Sequence, residues 1–288
     1  DPALRAASSG AVLQTGARTL TLERTRIMGV LNLTPDSFSD GGRFLSDRGV
    51  DLQLVRAEAE AMLRAGADLL DVGGESTRPG AAPVSEAEEL ERVIPVLNLL
   101  LELDTIVSVD TRKPSVARAA LAAGCHLIND VSGLTDEAML EAVAGSSAGV
   151  CIMHMQGQPE DMQVDPSYTD VVAEVREFLE RQVGRARSAG IPDARICLDP
   201  GFGFGKTLTH NLELLRSLAE LRVDGLPLLV GLSRKRMIGA LTGAEVGERM
   251  PGSVAAALLA AERGANIVRV HDVAETAQAL KILEAVRT

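Results

Sequence analysis

Eight short apolar runs of this sequence are each followed by polar residues whose types suit binding or catalysis. Three of these residues, Asp110, Asn129 and Asp199, offer carboxylate and amide groups that can bind a flat heterocycle with N–H donors and ring acceptors. A second set offers positive charge, which suits a diphosphate and a carboxylate. Its members are Arg78, Arg234, Lys235, Arg236, Arg269 and His271. The two sets together predict a site for a heterocyclic substrate and a small anion.

Each charged residue also has a plainer interpretation, as a helix cap or a solvated charge. We prefer that interpretation for Glu75, Asp130 and Asp272. It does not explain the whole set, because the chain has a formal net charge of −11 and still collects cations after these runs. We therefore expect the cations to bind a small anion and not a nucleic acid, whose phosphate backbone needs a basic face.

The apolar runs alternate with longer amphipathic segments rich in Ala, Glu and Arg. The runs lie at residues 27–31, 68–72, 106–109, 126–128, 150–153, 196–198, 228–230 and 267–270. The amphipathic segments lie at residues 49–65, 85–101, 114–123, 135–145, 168–189, 209–220, 248–263 and 273–286. Strands that alternate with helices form right-handed βαβ units. Eight such units predict an α/β fold of the (β/α)8 TIM barrel type, whose functional groups come from the carboxyl ends of the strands.

A short alternation of apolar and polar residues around Gly16, within residues 11–22, predicts a β-hairpin. We expect this hairpin to plug the lower end of the barrel. The expected organisation is an N-terminal extension with the hairpin at residues 1–25, and one barrel domain at residues 26–288. We find no internal domain boundary and no low-complexity linker.

Composition restricts the core and the setting of the protein. Aromatic residues make up 2% of the chain and Trp is absent, so the core must be aliphatic. No apolar run is long enough to span a bilayer, and the first ten residues lack the apolar stretch of a secretory signal. We therefore expect a cytoplasmic protein with no membrane partner. Cys125, Cys151 and Cys197 lack CxxC spacing, and we expect them to be buried apolar residues and not catalytic thiols.

Two loops rich in Gly, Pro and polar residues follow the first two runs, at residues 34–42 and 73–80. Their length and their position beside the charged residues favour lids over simple connections. The glycine-rich stretch at residues 201–206 lacks the spacing of a nucleotide phosphate loop. The sequence also lacks HExxH, a Cys/His cluster and a Ser-His-Asp elbow, so zinc and acyl-enzyme chemistry have no support.

Taken together, the motifs resemble those of the dihydropteroate synthases. They occur in the order of that family and cover the chain from about residue 26 to its end. They are IMGVLNLTPDSFSDGG at 27–42, DVGGESTRPG at 71–80, SVDT at 108–111, IND at 128–130, MHMQG at 153–157, LDPGFGFGK at 198–206, SRK at 233–235 and RVHD at 269–272. One motif alone would be weak, whereas the joint pattern is highly specific.

The resemblance implies a role for each of these site residues. The pterin ring would be held by Asp110, Asn129, Met153, Asp199, Gly231 and Lys235. The pyrophosphate on the pterin would be held by Asn32, Thr77, Arg78, Arg269 and His271. p-Aminobenzoate would be surrounded by Phe38, Phe204, Arg234 and Arg236, with Asp40 supplied by the first loop. The catalytic set would be Asn32, Asp110, Lys235, Arg269 and His271, and Asn32 would also contact Mg2+.

The implied reaction condenses 6-hydroxymethyl-7,8-dihydropterin pyrophosphate with p-aminobenzoate, giving 7,8-dihydropteroate and pyrophosphate in folate biosynthesis. The resemblance implies Mg2+ as the cofactor, these small molecules as partners and sulfonamides as inhibitors. The Ala- and Leu-rich segments within residues 209–263 favour a homodimer.

Two alternatives fit parts of the same pattern. A pterin-binding barrel that passes a methyl group to a corrinoid would share Asp110, Asn129 and Asp199. It would not need Arg269 and His271, at the end of the eighth apolar run, or the two long loops. A barrel that binds a pterin or a partner protein without catalysis is also disfavoured, since Asn32, Arg269 and His271 are all intact.

Overall fold

The computed structural model describes residues 11–35, 42–46, 49–77, 81–159 and 161–287 of the chain. The strands in this part of the chain are β1 (Val12–Thr15), β2 (Arg18–Thr21), β3 (Arg26–Asn32), β4 (Leu45–Ser46), β5 (Gly49–Val50), β6 (Leu69–Gly73), β7 (Ile106–Asp110), β8 (Leu127–Asp130), β9 (Gly149–Met153), β10 (Ile196–Asp199), β11 (Leu229–Val230) and β12 (Ile267–Val270). The α-helices there are α1 (Leu52–Ala65), α2 (Glu86–Leu100), α3 (Pro114–Ala123), α4 (Glu137–Ala144), α5 (Val171–Ser188), α6 (Leu208–Arg216), α7 (Arg236–Thr242), α8 (Met250–Glu262) and α9 (Val273–Arg287).

Within the described residues, eight parallel strands form one sheet in the order β10-β9-β8-β7-β6-β3-β12-β11. The two ends of this order meet through a parallel bridge between Leu198 and Leu228. Next to the bridge, the backbone N–H of Leu198 donates to the carbonyl of Pro227 at 2.9 Å. The sheet therefore closes into a barrel, and the predicted (β/α)8 fold is confirmed.

Side chains of the barrel strands alternate between the outer helices and the interior. Outward residues such as Leu70, Val107 and Val150 are buried in the main core against the helices. Inward residues near the amino ends of the strands form a second apolar layer: Met28, Leu69, Ile106, Leu127, Cys151, Cys197, Leu229 and Ile267. The period of two puts the next inward residue of each strand one layer closer to the carboxyl ends. That layer consists of Val30, Asp71, Ser108, Asn129, Met153, Asp199, Gly231 and Arg269.

The N-terminal hairpin closes the amino end of the barrel. Strands β1 and β2 pair in antiparallel register, and their turn is fixed where the N–H of Gly16 donates to Ser147 O at 3.0 Å. Leu13, Leu20 and Leu22 are buried among the inward apolar layer. The hairpin therefore seals one end, which confirms the prediction and leaves the polar layer facing the other end.

The predicted helices agree with the structure except at residues 49–50, which form β5, and near β11. The segment predicted at residues 209–220 ends as an α-helix at Arg216, and the 3-10 turn Leu218–Leu221 continues the chain. Helix α7, Arg236–Thr242, was not predicted. It has only seven residues, one of them Gly239, so it has too few turns to show an amphipathic period.

The structure also tests the expected burial of the cysteines and the expected lack of a membrane-spanning segment. Cys125, Cys151 and Cys197 are buried free thiols, as predicted. Among the described residues, no helix is long and apolar enough to cross a membrane.

Candidate active site

Three charged side chains and one amide, all directed inward, form a network of ion pairs and hydrogen bonds inside the barrel. Arg269 on β12 donates from Nε to Asp71 Oδ2 at 2.6 Å and from Nη2 to Asp110 Oδ2 at 2.9 Å. Asn129 on β8 donates from Nδ2 to the same Asp71 oxygen at 3.2 Å. Asn129 Oδ1 is buried and accepts no hydrogen bond from the described residues. The structure thus brings together three of the predicted site residues: Asp110, Asn129 and Arg269.

Lys235 lies directly before α7, and its amine reaches the glycine-rich loop at residues 200–206. Its Nζ donates to the carbonyl of Phe202 and lies 4.8 Å from the centroid of the Phe204 ring. An ammonium over an aromatic face makes a cation–π contact. A Cβ atom on Gly231 would lie 3.8 Å from Lys235 Nζ and 3.8 Å from Arg269 Cβ. Gly231 therefore lies between these two cationic side chains, at ordinary contact distance from both.

A buried lysine holds the glycine-rich loop in place. Lys206 Nζ donates to the carbonyls of Gly201 at 2.9 Å and Phe204 at 3.0 Å, and lies 2.9 Å from His154 Nδ1. Gly201 has a φ of +70°, and a Cβ atom there would come within 1.8 Å of the His154 carbonyl oxygen. Only glycine fits such a position. Asp199 also supports the turn, because its Oδ1 accepts from the N–H of Gly201 at 2.7 Å.

His154 and Tyr168 lie beneath this loop. His154, in the MHMQG motif, directly follows β9, and its ring is buried. Burial lowers the pKa of His154 far below its usual range, and the charge of Lys206 lowers it further. Tyr168, whose ring centroid is 6.1 Å from that of His154, donates from its hydroxyl to Gly205 O at 2.8 Å. Both residues therefore serve the packing of the loop.

Two further cations follow β11. The Arg234 guanidinium pairs with Asp272, at 3.2 Å from Nε and 2.6 Å from Nη2. The Arg234 backbone is left-handed, with a φ of 57°, and its N–H donates to Ser253 Oγ at 2.9 Å. Arg236 is exposed at the start of α7. Asp272 is therefore an ion-pair partner and not the solvated charge or cap that we preferred.

His271 is fixed by Ser233. The backbone N–H of His271 donates to Ser233 Oγ at 3.2 Å, and the ring Nδ1 lies 2.9 Å from the same oxygen. Since Ser233 follows β11 and His271 follows β12, the contact joins two neighbouring strand ends. It holds the imidazole near Arg269, two residues earlier in the chain.

Burial shifts the pKa values of an acid and a base in this site toward neutrality. Burial raises the pKa of Asp110 to about 7; the positive charge of Arg269 lowers this pKa, and the negative charge of Asp71 raises it. Burial lowers the pKa of Lys235 to about 8, against the attraction of Asp199. It also raises the pKa of Asp199, which Lys235 opposes. Groups that titrate near neutral pH are concentrated in functional sites.

The second loop rests on a cluster of charges. Glu75 lies 3.1 Å from Arg112 Nε and 3.0 Å from Lys113 Nζ, and accepts from the N–H of Val84 at 3.1 Å. Burial alone would raise the pKa of Glu75, but these contacts together lower it. Glu75 is therefore an ion-pair anchor and not a solvated charge. Thr77 is half-buried at the edge of the described part of this loop. Three predicted site residues lie outside the described residues: Phe38, Asp40 and Arg78.

Asp130 keeps the plain role that we preferred for it. Its carboxylate accepts from the N–H of Ser132 and the N–H of Leu134, both at 2.8 Å. It therefore caps the turn that follows β8 and takes no part in the network around Arg269.

Two residues that organise the site, Asp71 and Lys206, received no role from the sequence. Asp71 interrupts an apolar run in the middle of the buried strand β6. A charge inside such a run needs a buried partner, and that signal could have identified it. Lys206 gave a weaker signal, because its partners are mainly backbone carbonyls that no sequence pattern reveals.

The Asn32 side chain offers an amide oxygen that could bind Mg2+. Among the described residues, no group of three or more His, Cys, Asp and Glu side chains could hold a metal ion. Asn32 is half-buried at the end of β3, in register with Gly73, which is itself in register with Asp110. Mg2+ commonly takes one or two protein oxygens together with substrate phosphates and water. The Asn32 amide therefore fits a Mg2+ ion that binds with a pyrophosphate.

Comparison with known proteins agrees with this site. The profile of the family described as pterin binding enzyme matches residues 28–271. The dihydropteroate synthase of Escherichia coli (strain K12) is 51% identical over 269 residues, which cover 92% of this chain and 93% of that protein. The crystal structure of Yersinia pestis dihydropteroate synthase with a sulfonamide drug is 49% identical, with a TM-score of 0.90 over 96% of this chain and 98% of that one. The Burkholderia cenocepacia dihydropteroate synthase complexed with 7,8-dihydropteroate is 50% identical, with a TM-score of 0.85 and 96% of each chain covered.

The chain belongs to the family of pterin binding enzymes, because the match spans the barrel from β3 to His271. Within that family its activity is that of a dihydropteroate synthase, a transferase. The resemblance that we found in the motifs is thereby confirmed.

Proposed function

We propose that the carboxyl end of the barrel binds the two substrates in adjoining positions, each in contact with a different part of the site. The pterin lies against Asp110, Asn129, Met153, Asp199, Gly231 and Lys235. The pyrophosphate is held by Asn32, Thr77, Arg78, Arg269 and His271. The ion pair of Arg269 with Asp110 at 2.9 Å carries this proposal, because it joins a cation for the diphosphate to a carboxylate for the heterocycle.

The reaction breaks the bond between the pterin methylene carbon and a pyrophosphate oxygen. Negative charge then grows on the pyrophosphate, where Arg269 and His271 stabilise it. Positive charge grows on the pterin methylene, which the Asp110 carboxylate stabilises more strongly than the neutral substrate. The amine of p-aminobenzoate forms the new C–N bond, and the proton that it loses leaves to water or pyrophosphate. No step requires a covalent enzyme intermediate.

Asn32 would hold Mg2+ through its amide oxygen, beside the oxygens of the pyrophosphate. When bound, the ion would neutralise part of the negative charge on the leaving pyrophosphate. The protein itself orients that group through Arg269 and through His271, whose ring is fixed by Ser233.

We assign p-aminobenzoate to the surface beside Lys235 that includes Phe204, Arg234 and Arg236, and we propose Phe38 as a further residue that contacts this substrate. The Phe204 ring lies 4.8 Å from Lys235 Nζ, so this surface adjoins the proposed pterin position. The Arg234 and Arg236 guanidinium groups suit the carboxylate of this substrate, and Asp272 fixes the first of them.

Pyrophosphate release tests the proposal directly. The purified enzyme is mixed with both substrates and Mg2+, pyrophosphate is measured in a coupled assay, and 7,8-dihydropteroate is identified by mass spectrometry. We expect release to require both substrates and to fall when EDTA removes Mg2+. Asp110→Asn serves as the variant with impaired chemistry. Pterin binding by calorimetry without pyrophosphate release would favour a barrel that binds without catalysis.

We also propose that the enzyme works in the cytoplasm as a homodimer joined through α7 and α8. Leu241 on α7 is 52% exposed and Leu259 on α8 is 42% exposed, and these helices pack together. Exposed large apolar residues on neighbouring elements favour association. Sedimentation should show a dimer for the wild type and a monomer for Leu241→Asp with Leu259→Asp. A monomeric wild type would contradict this assignment.

A further inference from the structure

Asp71 lies below the proposed pterin position and contacts Asn129, which we assign to the pterin, and Arg269, which we assign to the pyrophosphate. It is an inward residue of β6 and is fully buried. Its Oδ2 accepts from Arg269 Nε at 2.6 Å and from Asn129 Nδ2 at 3.2 Å. Asp71 therefore connects strands β6, β8 and β12 through one oxygen atom.

The contact with Asp71 sets the direction of the Asn129 amide. An amide carries its donor and its acceptor on opposite sides of one carbon, so a nitrogen directed at Asp71 turns the oxygen away from it. That oxygen, Oδ1, is buried and accepts no hydrogen bond from the described residues. Buried polar atoms of this kind are rare unless a ligand or water completes them. Asn129 is thus prepared to accept a hydrogen bond from an N–H group of the heterocycle.

The same carboxylate fixes the plane of Arg269. Nε contacts Asp71 on β6, and Nη2 contacts Asp110 on β7. A planar guanidinium held at two points by carboxylates on different strands has little freedom to rotate. Without Asp71, the guanidinium of Arg269 would keep only its contact with Asp110.

We propose that Asp71 is a positioning residue for the reaction, which orients the Asn129 amide oxygen toward the pterin and holds Arg269 beside Asp110. This inference rests on the proposed function, in which Asn129 binds the pterin and Arg269 binds the pyrophosphate. Asp71 itself lies one layer deeper in the barrel than Asp110 and acts through its two partners.

A double-mutant cycle of Asp71→Asn with Arg269→Lys tests the proposal. Asp71→Asn keeps the size of the side chain but removes its charge, and we expect kcat/KM to fall about 100-fold, the scale of a small misplacement of catalytic groups. In the Arg269→Lys background the same change should cost less than about fivefold, because its partner is already altered. If the loss of kcat/KM in the double variant equals the product of the two single losses, the residues act independently and the proposal is overturned.

The matched control is Ser108→Ala. Ser108 is the inward residue of β7 in register with Asp71, and its hydroxyl is buried without a hydrogen bond to the described residues. The change therefore alters the same layer of the barrel and leaves the ion-pair network intact. Its activity should stay within about twofold of the wild type. Circular dichroism and thermal melting show whether each variant is folded.

Asp71→Glu separates positioning from packing. Glu keeps a carboxylate for both partners but adds a methylene group, so positioning predicts more activity for Glu than for Asn. A packing role predicts the reverse order, since Asn preserves the volume. If Asp71→Asn does not fold, the cycle is run with Asp71→Glu, and independent losses with Arg269→Lys again overturn the proposal.

The pH profile gives a readout that stability alone would not move. The charged groups that act on Asp110 are Asp71, Glu89, Asp130, Lys235 and Arg269. Because the charge of Asp71 raises the pKa of Asp110, its removal should shift the acid limb of kcat/KM to lower pH. An unshifted limb would count against the proposal.

Measuring the Kd of the pterin beside kcat/KM keeps the two proposals apart. If the wild type binds the pterin but releases no pyrophosphate, the proposed function is wrong. The double-mutant cycle, measured as the Kd of the pterin, would still test the role of Asp71. An active wild type with independent losses would defeat the role of Asp71 alone.

Discussion

The Arg234 guanidinium and the Asp272 carboxylate form a two-point ion pair, with distances of 3.2 and 2.6 Å. Arg234 follows β11 and Asp272 follows β12, so the pair joins two loops at the mouth of the barrel. The arrangement orients the one half-buried cation that we assign to p-aminobenzoate within the described residues.

Asp272→Asn should raise the KM for p-aminobenzoate about tenfold and leave kcat nearly unchanged, because Arg234 loses the charge that orients it. Tenfold corresponds to about 1.4 kcal/mol, close to the range for a hydrogen bond to a charged group. Steady-state kinetics at saturating pterin measure the change. Asp104→Asn, which alters an exposed carboxylate paired with Arg18, is the control. An unchanged KM would show that Arg234 does not reach this substrate.

Lys235→Ala should remove useful turnover while the protein stays folded. The amine contacts the Phe202 carbonyl and the Phe204 ring, and an apolar stub cannot replace either contact. We expect a loss of about 2–4 kcal/mol in transition-state stabilisation, measured as kcat/KM. Lys281→Ala on the exposed side of α9 is the matched control. Near-normal kcat/KM in the Lys235 variant would remove this residue from the active site.

The activity of the wild type should follow a bell-shaped pH profile. The pKa of Asp110 is raised to about 7, so its carboxylate is lost as the pH falls through that value. The pKa of Lys235 is lowered to about 8, so its positive charge is lost as the pH rises through that value. The two limbs of kcat/KM report these groups of the free enzyme. A profile that is flat between pH 6 and 9 would contradict both assignments.

Asp110→Asn should lower kcat more than it weakens pterin binding. The amide keeps the shape and part of the hydrogen bonding but lacks the charge that faces the cationic methylene. Calorimetry gives the pterin Kd, and single-turnover kinetics give the chemical step. The variant should also lack the acid limb of the pH profile. Lost pterin affinity with an unchanged kcat would make Asp110 a binding residue only.

The three cysteines should be dispensable for chemistry. Burial raises the pKa of Cys125 to about 12, and Cys151 and Cys197 lie in the inward apolar layer below the site. Their joint replacement by Ala or Val should cost at most a few kcal/mol of stability, the scale for losing small buried groups. Thermal melting and kcat/KM of the triple variant measure the two effects. A folded but inactive triple variant would reveal a thiol function.

The barrel could be predicted from the sequence because each strand is a compact apolar run and each helix is long enough to show its period. Helix α7 could not, since its seven residues are too few for such a pattern. The hairpin was predictable because its alternation around Gly16 is local. Closure of the barrel between Leu198 and Leu228 followed from counting eight units and not from any local signal.

The position of the candidate residues at the carboxyl end of the barrel was predictable where they lie at the end of a strand or in the loop after it, as for Asp110, Asn129 and Lys235. The role of a residue was not predictable where long-range contacts decide it. Asp71 lies 198 residues from its partner Arg269, and the guanidinium of Arg234 pairs with a residue 38 positions away. His154 follows a strand as the other site residues do, yet the loop held by Lys206 covers it. For Asp71, Arg234 and His154, tertiary contacts therefore determine the role of the side chain.

Tyr168 is the only tyrosine in a chain without tryptophan, and its hydroxyl donates to Gly205 O in the loop that supports Lys235. The intrinsic ultraviolet fluorescence of the protein therefore comes mainly from one ring attached to the active-site loop. Circular dichroism, by contrast, records the helices around the barrel. During unfolding, the two signals will coincide only if loop and barrel melt as one cooperative unit. A tyrosine transition at lower denaturant would show that the loop opens first, without any label attached to the enzyme.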